Sequence, residues 1–268
     1  MPWPSNAMPP STAAASTGPR SNTATHRSRE RQRTLYAGDV TIADRRSPRR
    51  EPLTRLRILE AALALVDREG ADALTMRRLG DEVGAAAMSL YNHIPGRDAL
   101  LDGLSEVLVG GIPAEPFGNE PREQLRRFAS GIRGVALAHP DAFRLVGMRP
   151  LHTPQAFRPV EVALGALRAF GLADDEAVHG YRALVSFARG YALAEIGGFT
   201  LEAAQIGPQA PVDPDDLRAE GLPNLAELSS HLLHPEHEAA FAFGLDSILD
   251  GLEARAVALN RGRSRGPG

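Results

Sequence analysis

The 268-residue chain has no cysteine and no lysine, and only 5% of it is aromatic. Without cysteine there are no disulfides and no thiolate metal sites, which suits a cytoplasmic protein. No apolar run approaches the roughly 20 residues of a membrane span. A signal-type apolar stretch is missing as well, since Ala13, Ala14 and Ala15 are followed by polar residues. There is no GxSxG, Walker-type phosphate loop, GxGxxG or His-Glu-x-x-His, so an enzyme is the weaker reading and no cofactor is expected. The acid pairs Asp174–Asp175 and Asp215–Asp216 suit caps and loops better than acid–base work. All thirty basic residues are arginine, a bias that abundant Ala, Gly and Pro make compositional rather than functional.

What is present divides unevenly. Residues 1–50 hold nine arginines against three acids, with much Pro, Ser, Thr and Ala and no sustained period. A disordered basic arm is expected there. From Leu53 the pattern turns helical, with Leu56, Leu59, Leu63 and Val66 in one stripe and Gly70 as its stop. Thr75 caps a second, short helix carrying Leu79 and Val83, which Gly84 breaks. A third is expected from about Ala86 to Asn92 with Leu90 inward. Pro95–Gly96 precedes a fourth, with Leu100, Leu101, Leu104, Val107 and Leu108, ending at Gly110–Gly111. Further helical stripes follow at Leu125–Val135, Leu164–Phe170, Tyr181–Ile196 and Phe241–Leu259. Gly171 is expected to stop the second of these, Asp174 to cap the third and Pro235 to start the last. Residues 197–235 read as loop-rich, with a short helix at 223–233. No β-alternation appears, so the fold class is all-α. The expected divisions are a helix-turn-helix domain over 51–112, a helical domain over 113–260 and a disordered tail over 261–268.

Residues 75–101 form helix, glycine turn, helix. Such a unit needs small residues at the turn so that the second helix can cross the first and enter the major groove; Gly80, Gly84 and Ala85 supply them. The second helix offers Ala86, Ala87, Met88, Ser89 and Asn92, short or apolar residues that let its backbone approach base edges and thymine methyls. Against this, residues 51–110 carry six arginines and ten acids, the wrong sign for a basic footprint. The run nevertheless resembles the DNA-binding signature of the tetracycline-repressor (TetR) family. Thr75, Leu79–Gly80, Val83–Gly84–Ala85, Ser89, Leu90–Tyr91–Asn92–His93–Ile94 and Arg97 fall in its order, over about Leu53 to Ile112. Gly80 and Ala85 are mild departures. The resemblance implies that Tyr91, His93 and Arg97 contact phosphates and that Thr75 and Arg77 flank the approach to DNA. Tyr91 keeps a second reading as a plug for the core beneath the third helix, and either Arg77 or Arg78 suits a DNA contact.

The same resemblance implies a C-terminal half that binds a small-molecule effector and forms a homodimer on double-stranded operator DNA. Partner contacts are expected at Tyr181, Leu184, Ala188, Phe241, Leu245, Ile248 and Leu252, in a bundle of two helices from each subunit. The alternative is that both stripes serve the monomer's own core. Effector-lining candidates are Phe128, Phe143, Leu145, Phe157, Phe170, Phe187 and Tyr191, with His139, Arg144 and His152 as polar partners. His231, His234, His237 and Glu238 tempt a metal reading, but Pro235 interrupts their spacing and no metal site is expected. A helical ligand carrier with an inactive DNA head is the remaining alternative.

Overall fold

The structure, a computed structural model, describes residues 52–115, 120–198, 213–234 and 236–263, all within one unit, Glu51–Gly268. The expected basic arm lies outside the described residues. Among the described residues there are eleven α-helices and no strand. Four short-range helices come first: α1 (Arg55–Glu69), α2 (Met76–Val83), α3 (Ala87–Tyr91) and α4 (Arg97–Gly110). Then follow α5 (Pro121–Ala138), α6 (Pro140–Val146), α7 (Arg158–Ala169) and α8 (Asp174–Gly197). The last are α9 (Pro214–Ala219), α10 (Pro223–Leu233) and α11 (His237–Arg263). None is long and apolar enough to cross a membrane.

Local chemistry sets many of the ends. The Thr54 and Thr75 hydroxyls accept hydrogen bonds from the backbone N–H of Arg57 and Arg78, each at 3.2 Å, which satisfies donors that open helix ends leave unpaired. Gly84 closes α2 in the left-handed region at φ 67°, a conformation that costs glycine little. Asp174 does not cap α8: Ala173 holds the cap position, and Asp174, Asp175 and Glu176 form the first turn, where negative charge suits the helix dipole. Pro235 lies outside the described residues, and α11 opens at His237. Two elements exceed expectation: α9 forms inside the segment read as loop, and α11 runs to Arg263, into the expected tail.

One hydrophobic core runs through the unit from Ile58 to Ala256. In α1 the buried stripe is Ile58, Leu59, Ala62, Leu65 and Val66, whereas Leu56 is 58% exposed and Leu63 only partly buried. Of the expected stripe, Leu59 and Val66 lie in the core and Leu63 packs against it, while Leu56 stays outside, because α1 carries leucine on more than one face. Helix α4 packs against α1 on one side and α5 and α6 on the other, so it joins the first helices to the rest. Helices α5, α7, α8 and α11 form the body around Leu125, Phe128, Leu167 and Leu184.

The residues expected at a subunit interface belong instead to this core. Leu184, Ala188, Phe241, Leu245 and Leu252 are buried within the single chain, and Tyr181 and Ile248 are partly buried against them. Helix α8 turns its most regular apolar stripe toward α5 and α7, and α11 packs its own chiefly on α8, where burial is worth about 1.5–3 kcal/mol per large side chain. What they leave outward is a different set: Val178, Ser186 and Gly190 on α8, and Phe243, Ser247, Ala254 and Val257 on α11. Phe243 is 77% exposed.

Candidate nucleic-acid interface

Helix α3 is five residues long, too short to hold itself, so its shape comes from its neighbours. Leu90 and Ile94 are buried in the core beneath it and hold it against α2. At the crossing with α2, a Cβ on Gly80 would stand 2.8 Å from the Ala85 carbonyl oxygen and 3.3 Å from the Ala87 nitrogen. Glycine there lets the two helices meet at backbone distance. The Ala85 N–H in turn donates to the Gly80 carbonyl at 2.9 Å.

This packing leaves a continuous outward face. Ala86, Met88, Tyr91, Asn92 and His93 are exposed, while Ala87 and Ser89 are partly so. Met88 is 77% exposed, unusual for a large apolar side chain in water. Tyr91 is 45% exposed; Leu90 and Ile94 fill the core in its place, so the plug reading of Tyr91 does not hold. Thr75 is exposed at the start of α2, its hydroxyl engaged as the cap. Arg97 opens α4 and donates to the Leu74 carbonyl at 3.0 Å, tying that helix start to the approach to α2.

The two neighbouring arginines of α2 have different fates. Arg78 bonds Glu69 and Glu82, and Arg68 bonds the same two carboxylates. Hydrogen bonds from Arg78 first, then from Arg68, hold the Glu69 carboxyl below its ordinary pKa. Arg77 is exposed and has no ion-pair partner among the described residues. The acidic sum of the segment is dispersed in the same way. Glu106 pairs with Arg55 at 3.0 Å, Asp102 with Arg149 at 2.7 Å and Asp67 with His139 at 2.7 Å. No acid occurs in α3 itself.

In the body, sequence reasoning brings fewer residues together. Phe143 lines a cavity between α4, α5, α6 and α8. Phe187 and Tyr191 join Phe241 in an aromatic cluster, with ring centroids 5.3–5.8 Å apart. Phe128 packs on Tyr181 at 6.1 Å. Leu145 and Phe170 are partly buried elsewhere in the core, and Phe157 is exposed. The polar candidates are not among the residues that line the cavity. His139 is held by Asp67, His152 lies 3.8 Å from Asp102, and Arg144 bonds Asp141 and the Ile196 carbonyl. Aromatic spacing along a helix does not reveal which residues share a cavity; the crossing of four helices does. Of the nine lining residues only Phe143 is among the effector-lining candidates of the sequence; Ser105 and Arg189 are the polar ones it misses.

The histidine cluster also disperses. His234 Nδ1 meets the Ser230 carbonyl at 3.2 Å and His231 the Ser230 hydroxyl at 3.4 Å. His237 accompanies Tyr191, and Glu238 bonds Arg133. Among the described residues no group of three or more metal-ligating side chains converges. Arg133 itself is the strongest polar tie of the body: it grips Glu195 at 2.7 and 2.8 Å and lies 5.1 Å from the Phe241 ring centroid. Glu195 is the main cause that raises its pKa above the ordinary arginine value.

Comparison with known proteins settles what the geometry suggests. Residues 58–104 match the tetR family of bacterial regulatory proteins, and residues 113–256 match the tetracyclin repressor-like C-terminal domain. The chain belongs to the TetR family. It is thus a DNA-binding transcriptional regulator, of a family whose members are in general not enzymes. One relative, the HTH-type transcriptional repressor DrrR1 of Streptomyces coeruleorubidus, is 32% identical over 82% of this chain and 85% of its own. The class E tetracycline repressor protein of Escherichia coli is 29% identical over 74% and 90%. Among solved structures, the TetR-family protein ActR of Streptomyces coelicolor in complex with actinorhodin is 31% identical, with a TM-score of 0.63. That match covers 77% of this chain and 99% of ActR.

Proposed function

We propose that this TetR-family protein is a homodimeric repressor that leaves a palindromic operator when a small organic effector binds its helical body. The carrying observation is the outward face of α3, which is free of acids, held by a buried Leu90 and Ile94, and flanked by Arg77, which has no ion-pair partner among the described residues. Met88 and Ala87 suit thymine methyls, Asn92 suits adenine, and Thr75, Arg77, Tyr91, His93 and Arg97 suit phosphates. Two such heads must stand about 34 Å apart to read half-sites one turn apart. The outward faces of α8 and α11, with Val178, Phe243 and Val257, serve as the dimer surface.

The effector site is the cavity that Phe143 lines. Four of its residues, Ser105, Leu108, Val109 and Ile112, belong to or directly follow α4, the helix that begins under the DNA-reading head. An effector that fits only when α4 has shifted selects the conformation with wrongly spaced heads. Coupling of about 1–3 kcal/mol corresponds to a roughly 5–150-fold change in operator affinity. The relatives named tetracycline repressor protein, and ActR seen in complex with actinorhodin, support an effector of this kind. Acting on DNA, the protein works in the cytoplasm. An electrophoretic shift with DNA from upstream of its own gene tests the reading. A sequence-selective, salt-sensitive complex is expected; its absence in every ligand state tried would end it.

A further inference from the structure

The cavity holds an arginine that has no hydrogen-bond or ion-pair partner among the described residues. The cavity volume is about 20 Å³, room for little more than a water molecule, so an effector must enter by spreading the walls. Those walls are mostly apolar, among them Leu108, Ile132, Val135 and Phe143, with Ser105 and Arg189 as the polar side chains. Arg189 is partly buried on α8 and has neither a hydrogen-bond nor an ion-pair partner among the described residues. The other arginines that reach into the body are all matched. Arg133 has Glu195 and Glu238, Arg149 has Asp102, and Arg126 has Asp246.

A guanidinium stays charged at any physiological pH, so partial burial cannot be relieved by losing a proton. Removing it from water without a counter-charge is unfavourable, and an arriving anion recovers that cost with charge-assisted bonds. We propose that Arg189 anchors the effector, which is therefore a hydrophobic anion: an apolar body that carries an anionic group such as a carboxylate. The apolar body lies against Phe143, Ile132 and Leu108, the anionic group meets the Arg189 fork, and the Ser105 hydroxyl offers a further hydrogen bond from α4. Binding then draws α8 and α4 onto one ligand from opposite walls, which links the charge on the effector to the helix that positions the DNA head. The proposal rests on the cavity being the effector site.

Calorimetric titration of the full chain with three aromatic acids and their methyl esters tests it. The acids are 1-naphthoate, anthracene-9-carboxylate and anthraquinone-2-carboxylate. At least one acid is expected to bind tenfold or more tightly than its ester. Arg189→Gln should reduce that ratio to below twofold, and Arg189→Lys should retain an intermediate preference. An unchanged acid preference in the folded glutamine variant overturns the proposal, as do equal affinities in the wild type or no binding by any of the six compounds. Should the glutamine variant fail to fold, the wild-type ratio and the lysine variant decide. Operator release measured in parallel separates the two readings. Operator binding without acid preference removes only the anion, whereas an acid preference lost with Arg189 but no operator complex removes only the repressor.

Discussion

At Gly80 a single hydrogen in place of a methyl group decides how close α3 comes to α2. Alanine is the better helix former by about 1 kcal/mol, yet its Cβ would press on the Ala85 carbonyl oxygen at 2.8 Å, a backbone atom that cannot rotate away. Overpacking of this kind costs about 1–3 kcal/mol, so Gly80→Ala is expected to lower the urea midpoint. Gly165, exposed in α7 with open space around it, is the control: Gly165→Ala should raise the midpoint, through a stabilisation of about 0.4–1 kcal/mol. A stabilising Gly80→Ala would mean that α3 has room to lift. The two arginines of α2 make a second residue-scale contrast. Arg77→Ala is expected to weaken operator binding and reduce the salt dependence by about one counterion. Arg78 is occupied by Glu69 and Glu82, so Arg78→Ala should leave the salt slope unchanged. Filter binding across a salt series reads both; equal slopes for the two variants would count against the assignment of Arg77 to phosphate.

Elements were legible in the sequence wherever one local cause sets them. Thr75 and Gly84 bracket α2 as their chemistry demands, and Gly171, at φ 94°, follows α7. Phases were harder. Leucine occupies several faces of α1, and alanines such as Ala62 and Ala256 turn out to be core residues that no apolar stripe announces. Which face is inside depends on α4 and α5, not on α1. The same limit explains the interface: a regular stripe on α8 and α11 marks burial, and burial within one chain and between two chains look alike in sequence. A helix-spanning contact of this sort also supplies a test. Arg149, after α6, grips Asp102 of α4 at 2.7–2.8 Å, so it ties the wall of the cavity to the helix that carries the head. Arg149→Gln is expected to keep operator affinity within about twofold while reducing effector-induced release by roughly 2–30-fold, the range that 0.5–2 kcal/mol of lost coupling gives. Paired measurements of operator affinity with and without effector decide it. Loss of operator binding alone would make the contact structural.

For the whole molecule the question is which surface meets a second copy. A twofold interface brings the same patch of both subunits together, so its centre wants an apolar side chain able to pack on its own equivalent. Phe243 fits: it stands outward from the second turn of α11, and Ser247, Gly251 and Ala254 along the same exposed surface are small enough to let a helix approach. Phe241, two residues earlier, faces the other way and stacks on Phe187 at 5.3 Å. The pair therefore separates association from folding. Phe243→Arg should give a monomer by light scattering, with the circular dichroism and melting temperature of a folded chain. Its operator complex should weaken by more than tenfold, because one head alone reads one half-site. Phe241→Ala should instead cost about 3–5 kcal/mol of stability through the cavity it leaves, whatever the subunit count. A Phe243→Arg protein that stays dimeric would move the interface off this face of α11, and with it the spacing of the two heads on which repression by this molecule depends.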